Sequence, residues 1–153
     1  MKHTLLIILF FFSAQSMALP LEGLTNLDEK AAELSHQKNT ELVVFWATWC
    51  PDCREKLQTT LPTLDKTAEV AVITINTDKR LDRARAYVER ENIKLPVLRD
   101  DGKGLRKSLK VFSVPHWAVY KRKSPSEPWS LIDSAPAFEW SRIEKALGTT
   151  PKT

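Results

Sequence analysis

Residues 42–47, LVVFWA, are apolar without interruption. A run with no polar alternation suits a strand covered on both faces, as inner strands of parallel sheets are. A helix signature follows almost at once. Pro51 fits the first helical position, and Leu57, Leu61 and Leu64 recur at helical spacing behind it. Between strand and helix stand the only two cysteines of the chain, Cys50 and Cys53, in the stretch WCPDC. The pair therefore falls where a buried strand turns into a helix.

Three uses of such a pair are open: a structural staple, part of a metal site, or a reaction centre. A Cys50–Cys53 bridge closes a loop of four residues, for which loop entropy gives about 2 kcal/mol. It pins nothing distant, and a domain of this length has its own core. Chemistry is favoured by position. Cys50 at or beside the helix N-cap meets unpaired N–H groups and the positive end of the helix dipole, which stabilise a thiolate and lower a thiol pKa. Cys53, one turn further in, is more buried and placed to resolve a mixed disulfide.

The first twenty residues, MKHTLLIILFFFSAQSMALP, carry a lysine, an apolar stretch and small residues at Ser16 and Ala18. This is the pattern of an export leader cleaved after Ala18. The apolar tract of residues 4–18 is shorter than the roughly 20 residues that cross a bilayer. The expected division is a signal peptide over 1–18 and one domain over 19–153, located in the periplasm. Removing the leader takes away one lysine, leaving 22 basic against 19 acidic side chains. That mild excess is spread along the chain. The stretch RLDRARAYVERE mixes signs like a solvated helix face, so nucleic acid is not an expected partner.

The remaining segments alternate. TNLDEKAAEL, residues 25–34, with Leu24 just before it, places Leu24, Leu27, Ala31 and Leu34 at helical spacing and reads as an N-terminal helix. VAVITI, residues 70–75, is a second buried strand. LDRARAYVEREN is an amphipathic helix with Leu81, Ala84 and Val88 inward. LPVL is a short strand, DDGKG a turn, LRKSLKVF a short helix, and HWAVY a strand starting straight after Pro115. A hairpin loop over 121–128 returns along 129–132, and FEWSRIEKAL closes as a helix with Trp140, Ile143 and Leu147 inward. Strand–helix–strand order implies parallel pairing through right-handed crossovers.

WCPDC after VVFWAT resembles the W-C-x-x-C active site of thioredoxin-fold proteins, and with the leader the chain most resembles the TlpA/ResA/DsbE-like periplasmic thiol–disulfide oxidoreductases. The resemblance covers about the whole mature chain. It implies an α/β, three-layer thioredoxin-like fold with a central mixed sheet and flanking helices. Cys50 and Cys53 would be the catalytic pair, surrounded by Trp49, Pro51, Asp52, Val114, Pro115 and His116. The Val114–Pro115 bond would be cis, with the Val114 backbone pairing with an incoming client strand. No cofactor or resident metal is implied. Two departures stand out. The helix-kinking proline is Pro62, about one turn later than in such proteins. Where thioredoxin carries a buried acid this chain has Val44, which leaves Asp78 as the substitute proton carrier or, alternatively, as an N-cap of the following helix.

Asp52 places a negative charge beside Cys50 and opposes its thiolate, which points to the reducing side of the fold's range. A protonated His116 over the sulfurs would act the other way; a strand histidine without such a role is the alternative. The expected activity is reduction of disulfides in exported clients such as apocytochromes, by a monomer re-reduced by a membrane electron donor of the DsbD or CcdA type. An isomerase would need a dimerisation domain and a DsbA-like oxidase an inserted helical domain, and the chain has no room for either. Two other classes remain. Cys50, Cys53 and His116 would make a three-ligand soft-metal site for copper; a tetrahedral zinc would need a fourth ligand, for which His36 is a poor candidate. A non-catalytic adaptor would use Trp49, Trp117 and Trp129 to line a peptide groove.

Overall fold

The computed structural model describes Leu21 and residues 23–34, 37–100 and 104–149. The expected leader, His36 and most of the DDGKG turn lie outside the described residues. In chain order the elements are β1 (Thr25–Asn26), β2 (Thr40–Trp46), α1 (Pro51–Gln58), α2 (Thr60–Asp65), β3 (Val70–Asn76), α3 (Leu81–Arg90), β4 (Val97–Arg99), α4 (Leu105–Ser108), β5 (His116–Lys121), β6 (Ser130–Pro136) and α5 (Trp140–Leu147).

The six strands form one sheet in the order β1-β4-β3-β2-β5-β6. β3 runs parallel to both β2 and β4, whereas β5 is antiparallel to β2 and to β6, and β1 is antiparallel to β4. The apolar run is thus central. Alternation along it separates two cores. Leu42, Val44 and Trp46 join Leu57, Leu61, Tyr87, Trp117 and Ile143 beneath α1, α2, α3 and α5. Val43 and Phe45 face the other way, toward Leu21, Leu24, Ile75, Leu105 and Ala118. With both faces covered, every residue from Leu42 to Ala47 is buried. The mixed three-layer architecture is the one the resemblance implied.

Two segments fold differently from their spacing. The N-terminal stretch read as a helix instead forms β1 and a turn. Asn26 Oδ1 accepts the backbone N–H groups of Asp28 at 2.9 Å and Lys30 at 3.1 Å, and Glu29 sits at φ 60°. A side chain that captures backbone donors competes with the helix ladder, and pairing with β4 settles the outcome. The helix after the cysteines is broken at Thr59. Pro62 removes an N–H, and its ring clashes with the carbonyl of the residue four earlier, Gln58. In α3, Ala84 and Tyr87 are the buried residues, with Val88 partly buried behind them.

Candidate active site

The end of β2 feeds three residues, 47–49, into the start of α1. Cys50 caps α1 in an extended conformation, and its Sγ accepts the Cys53 N–H at 3.2 Å. Pro51 stands at the first helical position, where its missing N–H loses nothing. Cys50 and Cys53 are joined by a disulfide with an S–S distance of 2.06 Å and Cα atoms 5.3 Å apart. Cys50 keeps 4% exposure and Cys53 none. Of the two, Cys50 is thus the one with any surface, and the N–H that meets its sulfur is placed to stabilise a thiolate there. Asp52 is exposed in the first turn of α1.

The loop into Cys50 is held from β3. Thr48 donates its backbone N–H to Asp78 Oδ2 at 2.9 Å and its hydroxyl to Oδ1 at 3.0 Å. Asn76 Nδ2 donates to the same Oδ2 at 2.7 Å, and Asn76 Oδ1 accepts the Asp78 N–H at 3.0 Å. Asp78 is 5% exposed. The capping alternative for Asp78 does not hold, because Arg80 is the N-cap of α3 and no side chain caps that helix. Both carboxylate oxygens are engaged by Thr48 and Asn76, so Asp78 positions the loop that delivers Cys50. Val44 is fully buried among apolar neighbours.

The Val114–Pro115 peptide bond is cis. Val114 and Pro115 are half-buried, and among the described residues the Val114 backbone makes no hydrogen bond, whereas the Pro115 carbonyl accepts from Ala137 N at 3.0 Å. His116 is turned away from the sulfurs. It pairs in register with Phe45, meets that ring edge-on at 6.1 Å between centroids, and has its Nε2 2.9 Å from Ser134 Oγ. Phe45 belongs to the core opposite Cys50 and Cys53. Burial lowers the His116 pKa from its usual 6.5. A protonated imidazole over the cysteines is thus replaced by a buried ring across the sheet, and the Cys50–Cys53–His116 ligand set is not assembled.

Of the three tryptophans considered for a groove, Trp117 is fully buried and Trp129 is 9% exposed, leaving Trp49 at 68%. What residue-by-residue reading missed is a cavity of about 490 Å³ bordered by Trp49, Asp78, Lys79, Arg83, Arg106 and Phe112. Thr48 and Asn76 were missed as well. No local pattern marks them, because they meet through the register that pairs Trp46 of β2 with Asn76 of β3.

Residues 13–120 match the Redoxin family. The thioredoxin-like protein YneN of Bacillus subtilis (strain 168) is 33% identical over 108 residues, which are 66% of this chain and 62% of the relative. The match thus spans less than two thirds of that relative's length. Among solved structures, the pneumococcal exposed lipoprotein thioredoxin Etrx1 of Streptococcus pneumoniae strain TIGR4 superposes with a TM-score of 0.63 at 24% identity, covering 82% of this chain and 96% of that one. A secreted Mycobacterium tuberculosis disulfide oxidoreductase, homologous to E. coli DsbE, gives 0.59 at 15% identity over 84% and 96%. These likenesses establish the fold.

Proposed function

The chain belongs to the redoxin family, a thioredoxin-like redox protein with its cysteine pair at bonding distance, and on that footing we propose that it reduces disulfides of exported client proteins. The observation that carries the proposal is Cys50 at the cap of α1 with the Cys53 N–H on its sulfur and Cys53 sealed behind it. In the dithiol form the Cys50 thiolate attacks one sulfur of a client disulfide. The client S–S bond breaks, a Cys50–client disulfide forms, and one client thiolate leaves. Cys53, losing its proton, then attacks Cys50 Sγ. The Cys50–Cys53 bond forms and the second client thiolate leaves, so the client gains two electrons and, with protons, two thiols.

Two features support the reducing direction. Asp52 sets a negative charge beside Cys50, which disfavours the thiolate and hence the reduced protein. His116, which as a cation near the sulfurs would oppose this, lies across the sheet with a lowered pKa. The Val114 backbone, free of hydrogen bonds among the described residues, supports pairing with a client strand. Residues 1–18 act as the cleaved leader that brings domain 19–153 to the periplasm, where a membrane donor of the DsbD or CcdA type returns electrons.

The test is the reduction potential of the mature domain in defined thiol–disulfide buffers. A two-electron transition below roughly −220 mV supports the reductase, and one near −120 mV makes the protein an oxidant instead. Absence of a reversible transition rejects the enzyme reading.

A further inference from the structure

The cavity beside Cys50 has a definite chemistry. Trp49, the residue before Cys50, and Val114, the residue before the cis proline, both line it. Lys79, Arg80 and Arg83 line it from the start of α3, and Arg106 and Phe112 from α4 and the segment after it. Four cations thus surround one depression. Three acids stand beside them, each with a described partner: the Asp78 carboxylate holds Thr48 and Asn76, Asp82 is paired with Arg80, and Asp100 Oδ2 accepts the Arg106 backbone N–H at 2.7 Å. Among the described residues, the side chains of Lys79, Arg83 and Arg106 form no ion pair with a carboxylate. The two large rings are open, Trp49 at 68% and Phe112 at 89%. A soluble surface gathers cations around exposed rings at a loss in self-repulsion and exposed apolar area, unless something of opposite charge covers them.

We propose that this groove docks an acidic segment of the client polypeptide flanking its reactive cysteine. The proposal rests on the redox reading above for its position, because the groove is lined by Trp49, the residue before Cys50, and by Val114, which packs against the core that holds both cysteines. Charge complementarity selects the occupant. Aspartate and glutamate side chains of an extended segment reach Lys79, Arg83 and Arg106, while its apolar atoms lie on Trp49 and Phe112. Asp52, in the first turn of α1, is not part of the groove. The protein would thus choose among disulfides by the charge beside them.

Two peptides of one sequence test this, each with an internal disulfide, differing only in flanking Asp and Glu against Asn and Gln. Both are also made with serine for cysteine, so binding is read by Trp fluorescence with no electron transfer. The acidic serine peptide is expected to bind the full protein about tenfold tighter than its neutral counterpart, with the difference shrinking as salt rises. Arg83→Glu with Arg106→Glu should abolish that preference. Arg83→Gln with Arg106→Gln should give an intermediate loss, which guards against a misfolded double reversal. Equal binding of the two peptides, or a preference surviving both variants, overturns the proposal. So does oxidised glutathione binding as tightly as the acidic peptide, which would make the groove a small-anion site. Charge-selective binding without reduction of either disulfide peptide would instead reject the reductase reading and leave the docking site standing.

Discussion

Thr48 hangs from Asp78 by two hydrogen bonds, backbone N–H to Oδ2 at 2.9 Å and hydroxyl to Oδ1 at 3.0 Å. One buried carboxylate at the end of β3 thereby fixes the loop that carries Trp49 and Cys50. Asp78→Ala strands the Thr48 and Asn76 donors and is expected to lower stability by about 3 kcal/mol. Loss of a helix cap would remove only about 1 kcal/mol. Urea midpoints of the oxidised protein separate the two, and a loss near the smaller figure would contradict the anchoring role.

Burial orders the two sulfurs, and that order is testable by trapping. Cys53→Ser should accumulate a covalent Cys50–client adduct visible on a non-reducing gel. Cys50→Ser should form none and turn over no substrate. Equal trapping by both variants would mean that Cys53 is as reachable as Cys50.

His116 makes stability fall in mild acid. Its folded pKa is depressed from 6.5 by burial, so below that value the unfolded chain binds the proton more readily. The contribution is complete above about pH 6.5 and is lost as pH falls through the lower folded value. His116→Gln, which can keep the contact with Ser134 but does not titrate, should flatten this part of the pH–stability curve. The same variant should move the reduction potential by less than about 15 mV, because the ring lies across the sheet from the sulfurs. A larger shift would place an imidazole charge back at the active site.

Asn26 decides the fold of the N-terminal segment. Asn26→Ala removes the acceptor of two backbone N–H groups and should lower stability by about 1 kcal/mol. Far-UV circular dichroism should show no gain of helix, although alanine is the better helix former. A gain would mean that the helical spacing of Leu24, Leu27, Ala31 and Leu34 had been held back by that one side chain.

Local patterns made much of the molecule readable in advance. The unbroken apolar run needed a two-faced sheet, and β2 is buried from Leu42 onward. The proline and leucine spacing after it required a helix, which put Cys50 at a cap. These are properties of adjacent residues, set by steric and hydrogen-bonding rules over a few positions. Where two local rules competed, spacing alone misled: Asn26 turn chemistry and the β1–β4 pairing overrode a helical pattern.

The sequence by itself determined that the two cysteines sit between a buried strand and a helix, in a sheet covered on both sides; that the sheet is mixed followed from the family resemblance, since the strand–helix order alone implied only parallel pairs. Only the tertiary structure decided which distant residues serve that pair. Asp78 meets Thr48 because β2 and β3 align Trp46 with Asn76. His116 misses the sulfurs because strand alternation, counted from its register with Phe45, turns it to the opposite core. The cationic groove exists because three separated segments converge there. Each depends on register and face across strands far apart in the chain, where a shift of one residue reverses the result.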